Sequence, residues 1–344
     1  MKKFSNIIRS SARVRTLIGL PLLIAALGSP AAAASATLYA KGVFATPEPT
    51  NGGVLNIITQ PGGGIYHGTH FWLADGLSAF VRLQPDDVDP NQITQVYAGY
   101  ASSGSYAQVA YDAAHDALYV ADQGSKGVGI VRLGFAPNEL VSNACFVAPS
   151  FNGRRPSAVA LGPDGNLYVG FLTKGDIVRL PVAGTLVPPG CQVPPVVTIG
   201  KSIKGGRVNG LAFVGSDLYI AGKDGLTKIP NATSCLSGCT SQVVAGSAKA
   251  GHFGIWADGF DLVYYLRDAN VMRYRVSTGV HEVFANSGTL ADGTVSSFMF
   301  VGGKSNLLTQ DIYGNVWVGD DTSDGVGNAT GRVWFIQAGQ PPLQ

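Results

Sequence analysis

One unit of roughly 50 residues recurs along this chain, and a regular period of that length restricts the fold more than any other feature of the sequence. Residues 156–180, PSAVALGPDGNLYVGFLTKGDIVRL, contain its clearest copy: a short apolar run, a turn, a second apolar run and a third that ends at Leu180. An aromatic residue in the second run marks each copy. The six marker residues are Trp72, Tyr119, Tyr168, Tyr219, Tyr264 and Trp317.

Each copy predicts a small antiparallel sheet, with an inner strand, a turn, a middle strand, a loop, a third strand and a variable segment that can hold a fourth. A lone four-stranded sheet leaves both faces exposed, whereas sheets packed radially cover each other's faces and leave only short edges. The 46 glycines and 19 prolines agree with many short strands joined by tight turns. The sequence therefore predicts an all-β fold, a six-bladed β-propeller. A pair of β-sandwiches is the structural alternative, but it would not require a regular period.

The two ends of the repeat region predict how the propeller closes. The last copy stops soon after Ile336, with no residues left for a fourth strand. Two unassigned segments, ATLYAKGVF from Ala36 and GGVLNIIT from Gly52, precede the first copy. We predict that one of them is an N-terminal strand that completes the last blade and removes an open sheet edge.

The first 35 residues have the order of a secretory signal peptide. Basic residues precede an apolar stretch from Leu17 to Leu27, and small residues follow it. We predict cleavage after Ala34 or Ala36, so that residues 1–35 are the signal peptide and residues 36–344 form a single propeller domain. The mature protein is then secreted or periplasmic, with no membrane span after cleavage. A retained membrane anchor is the alternative.

The charge of the chain narrows its possible binding partners. The formal net charge is +2 and 13% of residues are charged, which argues against nucleic acid and an anionic membrane surface as binding partners.

In an exported protein the four cysteines predict disulfides, and the CLSGC segment lacks the spacing of a zinc site. Of the three possible pairings we favour Cys235 with Cys239, which leaves Cys145 with Cys191.

The segments VNGLAF and DLYIAG in one copy, and PSAVALGPDGNLYVG in another, resemble the NHL-type, gluconolactonase-like and streptogramin-lyase-like six-bladed propellers. This resemblance extends over all six copies, but scaffold residues carry it. It therefore indicates the fold more strongly than the activity.

In such a propeller the start of each inner strand reaches the same mouth of a central channel. Counting back from the middle strands predicts a ring of residues there: Pro61, Ala107, Ser157, Asn209, His252 and Asn306. The resemblance to gluconolactonase-like proteins implies that a Glu, two Asn and an Asp of this ring hold a divalent metal. The corresponding positions here are Pro61, Ser157, Asn209 and His252, and only Asn209 matches.

Asn209, His252 and Asn306 remain the candidate ligands of a divalent metal, which would be Ca²⁺, Mg²⁺ or Zn²⁺. His252 is also the candidate catalytic residue, because an imidazole titrates near neutral pH and can act as a general base. Its segment, GHFGIWADG, resembles a Pro-His-Gly-Ile pattern of the streptogramin-lyase-like enzymes, but their second His and their Glu have no convincing counterpart. A lone histidine that lines a wet channel is the alternative interpretation.

Loops after the middle strands open on the same mouth. They add Asp122, Arg267 and Asp268 to Ser157, Asn209, His252 and Asn306 as candidate ligand-binding residues, through charge-assisted hydrogen bonds. The segment DDTSDGVGN offers Asp320, Asp321 and Asp324 as a weak calcium site, although its spacing departs from an EF-hand loop.

The segment GGGIYHGTH, residues 62–70, has glycines where other copies have apolar inner-strand side chains. We expect these glycines to widen the channel or to let a ligand approach the main chain. We expect His67 and His70 to lie at the turn on the opposite face, as a pair without a function.

The sequence predicts two possible functions, and we favour the first. The chain is a monomeric exported binding protein whose loops on one face hold a small molecule, a glycan or another exported protein. Alternatively, it is a metal-dependent lactone hydrolase or lyase. The complete repeat combined with an incomplete catalytic set favours binding over catalysis.

Overall fold

Strands joined by tight turns form all the regular secondary structure in the described part of the chain. The computed structural model describes residues 36–41, 61–67, 70–75, 79–83, 95–97, 106–123, 129–136, 139–149, 151, 154–173, 175–181, 196–200, 206–223, 225–247, 252–290, 292–300, 307–311, 314–323 and 329–337. No helix occurs within these ranges. Accordingly, none of these residues belongs to a helix long and apolar enough to cross a membrane.

Five antiparallel sheets each consist of four strands that follow one another in the sequence. Sheet 1 contains β2 (Pro61–His67), β3 (His70–Asp75), β4 (Ala79–Leu83) and β5 (Gln95–Tyr97). Sheet 2 contains β6 (Tyr106–Asp112), β7 (Ala117–Asp122), β8 (Gly129–Ala136) and β9 (Glu139–Pro149). Sheet 3 contains β10 (Pro156–Leu161), β11 (Asn166–Phe171), β12 (Ile177–Pro181) and β13 (Val197–Gly200). Sheet 4 contains β14 (Val208–Val214), β15 (Asp217–Gly222), β16 (Gly225–Ile229) and β17 (Gln242–Val243). Sheet 5 contains β18 (His252–Ala257), β19 (Leu262–Arg267), β20 (Asn270–Arg275) and β21 (Val280–Ala285).

A further sheet has six strands and includes the first strand of the chain. Its strands are β1 (Ala36–Lys41), β22 (Ser287–Thr289), β23 (Val295–Ser297), β24 (Leu308–Gln310), β25 (Val316–Ser323) and β26 (Ala329–Ile336). Their order is β23-β22-β1-β26-β25-β24. The antiparallel pair of β1 and β26 begins with Ala36 opposite Ile336.

The sheets pack face to face around a central channel, as a β-propeller. Strands β2, β6, β10, β14 and β18 each contact the next one in this series, and β24 contacts both β18 and β2. Alternate residues of β10 pack in opposite directions: Val159 joins a core with Tyr119 of sheet 2, whereas Ala160 joins a core with Leu211 of sheet 4. Each sheet therefore buries both of its faces against neighbouring sheets. A single copy could not do so, and for this reason the copies are stable only when they pack together. The predicted all-β propeller fold is confirmed.

The six marker aromatics lie on the second strand from the channel in each sheet, and all of them are buried. The turn before Tyr168 shows how the sequence specifies this hairpin. Gly165 has a φ of +72°, in the left-handed region that favours glycine. The Asp164 carboxylate accepts a hydrogen bond from the Asn166 main-chain N–H at 3.2 Å, which is the ordinary role of an aspartate in a tight turn.

The predicted disulfide between Cys235 and Cys239 is confirmed, with a Cα–Cα distance of 6.0 Å. It closes a short turn between β16 and β17. Cys191 and the side chain of Cys145 lie outside the described part of the chain, so their pairing stays a prediction.

Candidate functional site

A β-bulge or irregularity interrupts the start of each inner strand in the five four-stranded sheets. The register shifts after Pro61, Tyr106, Pro156, Val208 and His252. Bulges re-aim side chains and often occur beside functional sites. They also alter the predicted ring. Ala107, Ser157 and Asn209 fall within a bulge, whereas Pro61 and His252 lie one position earlier, because counting along the sequence assumes regular pairing.

The structure places Ser157 at the start of β10 in sheet 3 and Asn209 at the start of β14 in sheet 4. Both are buried, with 0% and 4% of their surface exposed. The Ser157 hydroxyl donates to main-chain carbonyls, with its Oγ 3.4 Å from the oxygen of Gly170 and also in contact with the oxygen of Val208. The hydroxyl of Ser157 therefore joins sheets 3 and 4 through main-chain carbonyls of both. Asn209 follows Val208 directly in β14.

His252 and Arg267 are brought together as register partners in β18 and β19. The side chain of His252 and the whole of Asn306 lie outside the described part of the chain. The Arg267 Nε lies 3.7 Å from a carboxylate oxygen of Asp268. Asp268 has a φ of +52° and occupies the hairpin turn before β20, so its conformation is that of a turn residue.

Asp122 and Asp320 occupy the same position in two sheets, three residues after the marker aromatic, and both are fully buried. The Asp320 Oδ1 accepts a hydrogen bond from Arg332 Nε at 2.9 Å, and its Oδ2 accepts one from the Met299 N–H at 2.9 Å. This carboxylate is therefore engaged in an ion pair within the six-stranded sheet, which differs from the open loop position expected of a calcium ligand. The Asp321 side chain and Asp324 lie outside the described residues.

The described donors at this mouth do not form the metal site that the resemblance implies. In the ranges that the structure describes, no group of three or more His, Cys, Asp or Glu could hold a metal ion. Asn209 is the one described side chain of the predicted set, and a hard cation prefers several oxygen ligands that include carboxylates. A metal at Asn209, His252 and Asn306 stays a prediction.

A cavity of about 490 Å³ occupies the channel towards the opposite end of the inner strands. Its wall consists of residues 63–65, 108–111, 159–163, 211–213, 215, 255–257, 259 and 308–310. These are the later parts of the inner strands and the turns that follow them. Among the lining residues that the structure describes there is no Asp, Glu, Lys, Arg or His, and none of the predicted site residues is among them.

Gln108 crosses the channel beside this cavity. Its Nε2 donates to the carbonyl oxygens of Leu211 at 2.7 Å and Ile255 at 3.3 Å. Its Oε1 accepts from the N–H groups of Leu211 at 2.8 Å and Val159 at 3.3 Å. All four hydrogen-bonding positions of the amide are thereby used. One side chain of sheet 2 thus joins the inner edges of sheets 3, 4 and 5.

Sequence reasoning missed Gln108, although a polar residue inside the apolar run of an inner strand was a usable signal. Its long side chain reaches the channel because it lies within the bulge of β6. The neighbouring glycines fit this bulge. A Cβ on Gly63 would lie 2.8 Å from the Val109 nitrogen and 2.9 Å from the Ala107 oxygen. We expected these glycines to let a ligand approach the main chain. At Gly63 the main chain of β6 occupies that space instead.

A polar cluster at the edge of the cavity joins sheets 1 and 2. The Asp116 Oδ1 lies 2.7 Å from His67 Nε2 and accepts a hydrogen bond from the Tyr111 hydroxyl at 2.9 Å. Burial, together with the hydrogen bond to Asp116, raises the pKa of Tyr111 to about 12. His67 and His70 are register partners across the hairpin, as expected of a turn pair. The imidazole of His67 also stacks on Phe135 with ring centroids 3.8 Å apart.

Comparisons with known proteins agree with the fold. The family model described as strictosidine synthase-like, N-terminal, matches residues 134–180. No curated protein matches this sequence. A gluconolactonase from Xanthomonas campestris is 14% identical, with a TM-score of 0.52, over 82% of this chain and 86% of that one. The calcium-binding protein regucalcin from Agrobacterium tumefaciens is 14% identical, with a TM-score of 0.52, over 84% and 95% of the two chains. A streptogramin B lyase is 12% identical, with a TM-score of 0.52, over 85% and 96%. At these identities the likeness establishes the fold and leaves the activity open.

Proposed function

We propose that this chain, which belongs to the fold superfamily of the NHL-type, gluconolactonase-like and streptogramin-lyase-like propellers, binds a neutral small molecule in the channel cavity beside Gln108. The composition of the wall carries this proposal, because the 23 lining residues that the structure describes include no charged side chain and no histidine. A charged ligand would lose its hydration there without gaining a counter-charge. The volume of about 490 Å³ lies within the usual range for small-molecule sites.

This cavity lies towards the face where the inner strands end, whereas the sequence favoured a site at the mouth where these strands begin. The turns that follow the inner strands border the cavity, and residues such as Pro163, Gly215 and Gly259 form part of its rim. The main-chain edges of the inner strands and the side chain of Thr309 supply polar groups for orienting a ligand. Apolar burial supplies most of the affinity, because most of the lining side chains are apolar.

Ligand binding to a variant whose cavity is filled by a larger side chain tests this proposal. Ala160 lines the cavity and is 7% exposed, so Ala160→Phe should occupy part of the space. Ala113→Phe is the matched control, because Ala113 is exposed in the turn between β6 and β7. A panel of neutral and charged small molecules is screened by thermal shift on the mature protein. We expect neutral compounds to raise the Tm of the wild type and of Ala113→Phe, and not that of Ala160→Phe.

A ligand present at 100 times its Kd stabilises the folded state by about 2.7 kcal/mol, which is a measurable shift. Circular dichroism checks that Ala160→Phe is folded, and Ala212→Phe replaces it if it is not. Equal stabilisation of the blocked and the wild-type protein, or stabilisation by charged compounds alone, would show that this cavity is not the site.

A metal-dependent lactone hydrolase or lyase is the second candidate function. The names of the structural neighbours favour it, since two are a gluconolactonase and a streptogramin B lyase. In the part of the chain that the structure describes, Asn209 alone of the three predicted ligands has a described side chain, and one amide does not make a metal site. A stoichiometric divalent ion in the purified protein, lost when Asn209 and His252 are both changed to Ala, together with turnover of a lactone, would establish this function in place of simple binding.

We also propose that the six-stranded sheet is the sixth blade and that β1 is the strand that closes the ring. The antiparallel pairing of Ala36 with Ile336 supports this proposal, as do the contacts of β24 with both β18 and β2. Joining the first and last segments of the chain in one sheet removes an open edge between them.

We propose export to the periplasm or the exterior, and a monomeric state. The order of basic, apolar and small residues at the N-terminus supports export, and so does the Cys235–Cys239 disulfide, because such bonds persist in oxidising compartments. Because β1 begins at Ala36, cleavage after Ala34 would keep the whole closing strand. N-terminal sequencing of the exported protein and its mass in solution test these points.

A further inference from the structure

We infer that the ligand of the channel cavity carries a flat aromatic ring and that Trp256 is the residue on which this ring stacks. This inference rests on the proposed binding function and specifies its ligand class. It comes from an inner-strand position at which sheet 5 departs from the pattern of the other sheets.

Trp256 lies in β18 directly opposite Tyr264, the marker aromatic of its sheet. At the same position the other inner strands have small or β-branched residues opposite their own marker. These are Ile65, Ala110, Ala160, Ala212 and Thr309. Sheet 5 thus places an indole where the propeller otherwise uses a smaller side chain.

The exposure of Trp256 also differs from that of the other tryptophans. Trp72, Trp317 and Trp334 are buried, with at most 2% of their surface exposed, whereas Trp256 is only partly buried and lines the cavity. Tyr264 supports the indole from its own sheet, with ring centroids 5.7 Å apart. The indole is therefore held in place while part of its surface faces the cavity, which is the arrangement of a stacking platform.

Two further aromatic residues, Tyr111 and Phe213, line the same cavity. Phe213 is held by an edge-to-face contact with Tyr168, with ring centroids 4.8 Å apart. Polar side chains are few in the wall, and two of them are already engaged. The amide of Gln108 is fully used, and Gln310 donates to the Gly314 oxygen at 2.6 Å.

This shortage of polar partners favours an aromatic ligand over a glycan. A buried sugar leaves hydroxyl groups that need hydrogen-bond partners, and each unsatisfied group weakens binding. An aromatic ring needs apolar contact and a stacking partner, and Trp256 with Phe213 supplies both.

The neutral dye N-phenyl-1-naphthylamine tests the inference, because its fluorescence rises in an apolar site. Binding to the mature wild-type protein is measured by dye emission and by energy transfer from tryptophan. Trp256→Ala removes the platform and Trp256→Phe retains a smaller one. Phe260→Ala is the matched control, because Phe260 is 77% exposed in the following turn and does not line the cavity. Far-UV circular dichroism confirms the fold of each variant.

We expect one site on the wild type, a loss of affinity of about tenfold or more in Trp256→Ala, and a smaller loss in Trp256→Phe. Phe260→Ala should bind like the wild type. Dye binding that Ala160→Phe blocks and Trp256→Ala leaves unchanged would overturn the role of Trp256 while the cavity function stands. Binding of neutral glycosides in the cavity without binding of the dye would overturn the aromatic class. If no neutral compound binds, the proposed function itself fails.

Discussion

Replacing Gln108 gives the sharpest test of how the channel is built. In Gln108→Leu a side chain of similar size loses four hydrogen bonds to the inner edges of sheets 3, 4 and 5. A buried hydrogen bond contributes a net stability of about 0.5–1.5 kcal/mol. Water in the adjacent cavity can satisfy part of what is left, so we expect the free energy of unfolding to fall by about 2–4 kcal/mol.

Gln108→Glu tests the accepting oxygen and the donating nitrogen of the amide separately. At neutral pH a carboxylate can still accept from the N–H groups of Leu211 and Val159, but it has no proton to donate. It would therefore place an anionic oxygen against the carbonyl oxygens of Leu211 and Ile255, which now accept from Nε2. We expect Gln108→Glu to be less stable than Gln108→Leu at pH 7 and to recover part of its stability near pH 4, where the added carboxyl is protonated.

Urea denaturation followed by tryptophan fluorescence measures these changes. Gln310→Leu is the matched control, because Gln310 also lines the cavity and its Nε2 donates to the Gly314 oxygen at 2.6 Å. Its loss should be about 1 kcal/mol. If Gln108→Leu is no less stable than Gln310→Leu, or if Gln108→Glu is as stable as the wild type at pH 7, the amide does not hold the inner edges together.

Three other predictions concern the stability of the same propeller. Asp320→Ala leaves the buried Arg332 without its carboxylate and should cost about 3–5 kcal/mol in urea; a loss below 1 kcal/mol would argue that the pair is not structural. Deleting residues 36–60 removes β1 and should lower the Tm, and an unchanged melting curve would contradict closure by this strand. Burial raises the pKa of Tyr168 and Tyr265 to about 12, so the unfolded chain ionises first above pH 10. Stability should fall between about pH 10 and 12 by up to roughly 1.4 kcal/mol per pH unit for each tyrosine, and Tyr265→Phe should reduce that slope.

The repeat made the fold predictable because each copy carries its own strands and turns in a short segment. The marker aromatics lie where the pattern predicts, on the second strand of each sheet. The disulfide between Cys235 and Cys239 could be predicted for the same reason, since its two ends are close in the sequence.

The site was less predictable because its contacts join residues far apart in the sequence. Ser157 bonds to Val208, and Gln108 bonds to Leu211 and Ile255, across three sheets. Each of these contacts depends on bulges that shift the register by a residue or more. A count along the sequence cannot detect such shifts, and for that reason the predicted ring combined two different positions.

The amino-acid sequence by itself determined the period, the strands of each sheet and the aromatic residues that pack between sheets, since these depend on local hydrophobic pattern and turn chemistry. Only the tertiary structure decided which groups face the channel. Inner strands present their main-chain edges there, and two of the side chains that reach it were not expected from the repeat: Gln108 lies in a bulge, and Trp256 is larger than its counterparts in the other copies. The cavity wall therefore depends on how the sheets pack together, and the uncharged, partly aromatic character of its described residues became visible only when residues from separate copies were brought together.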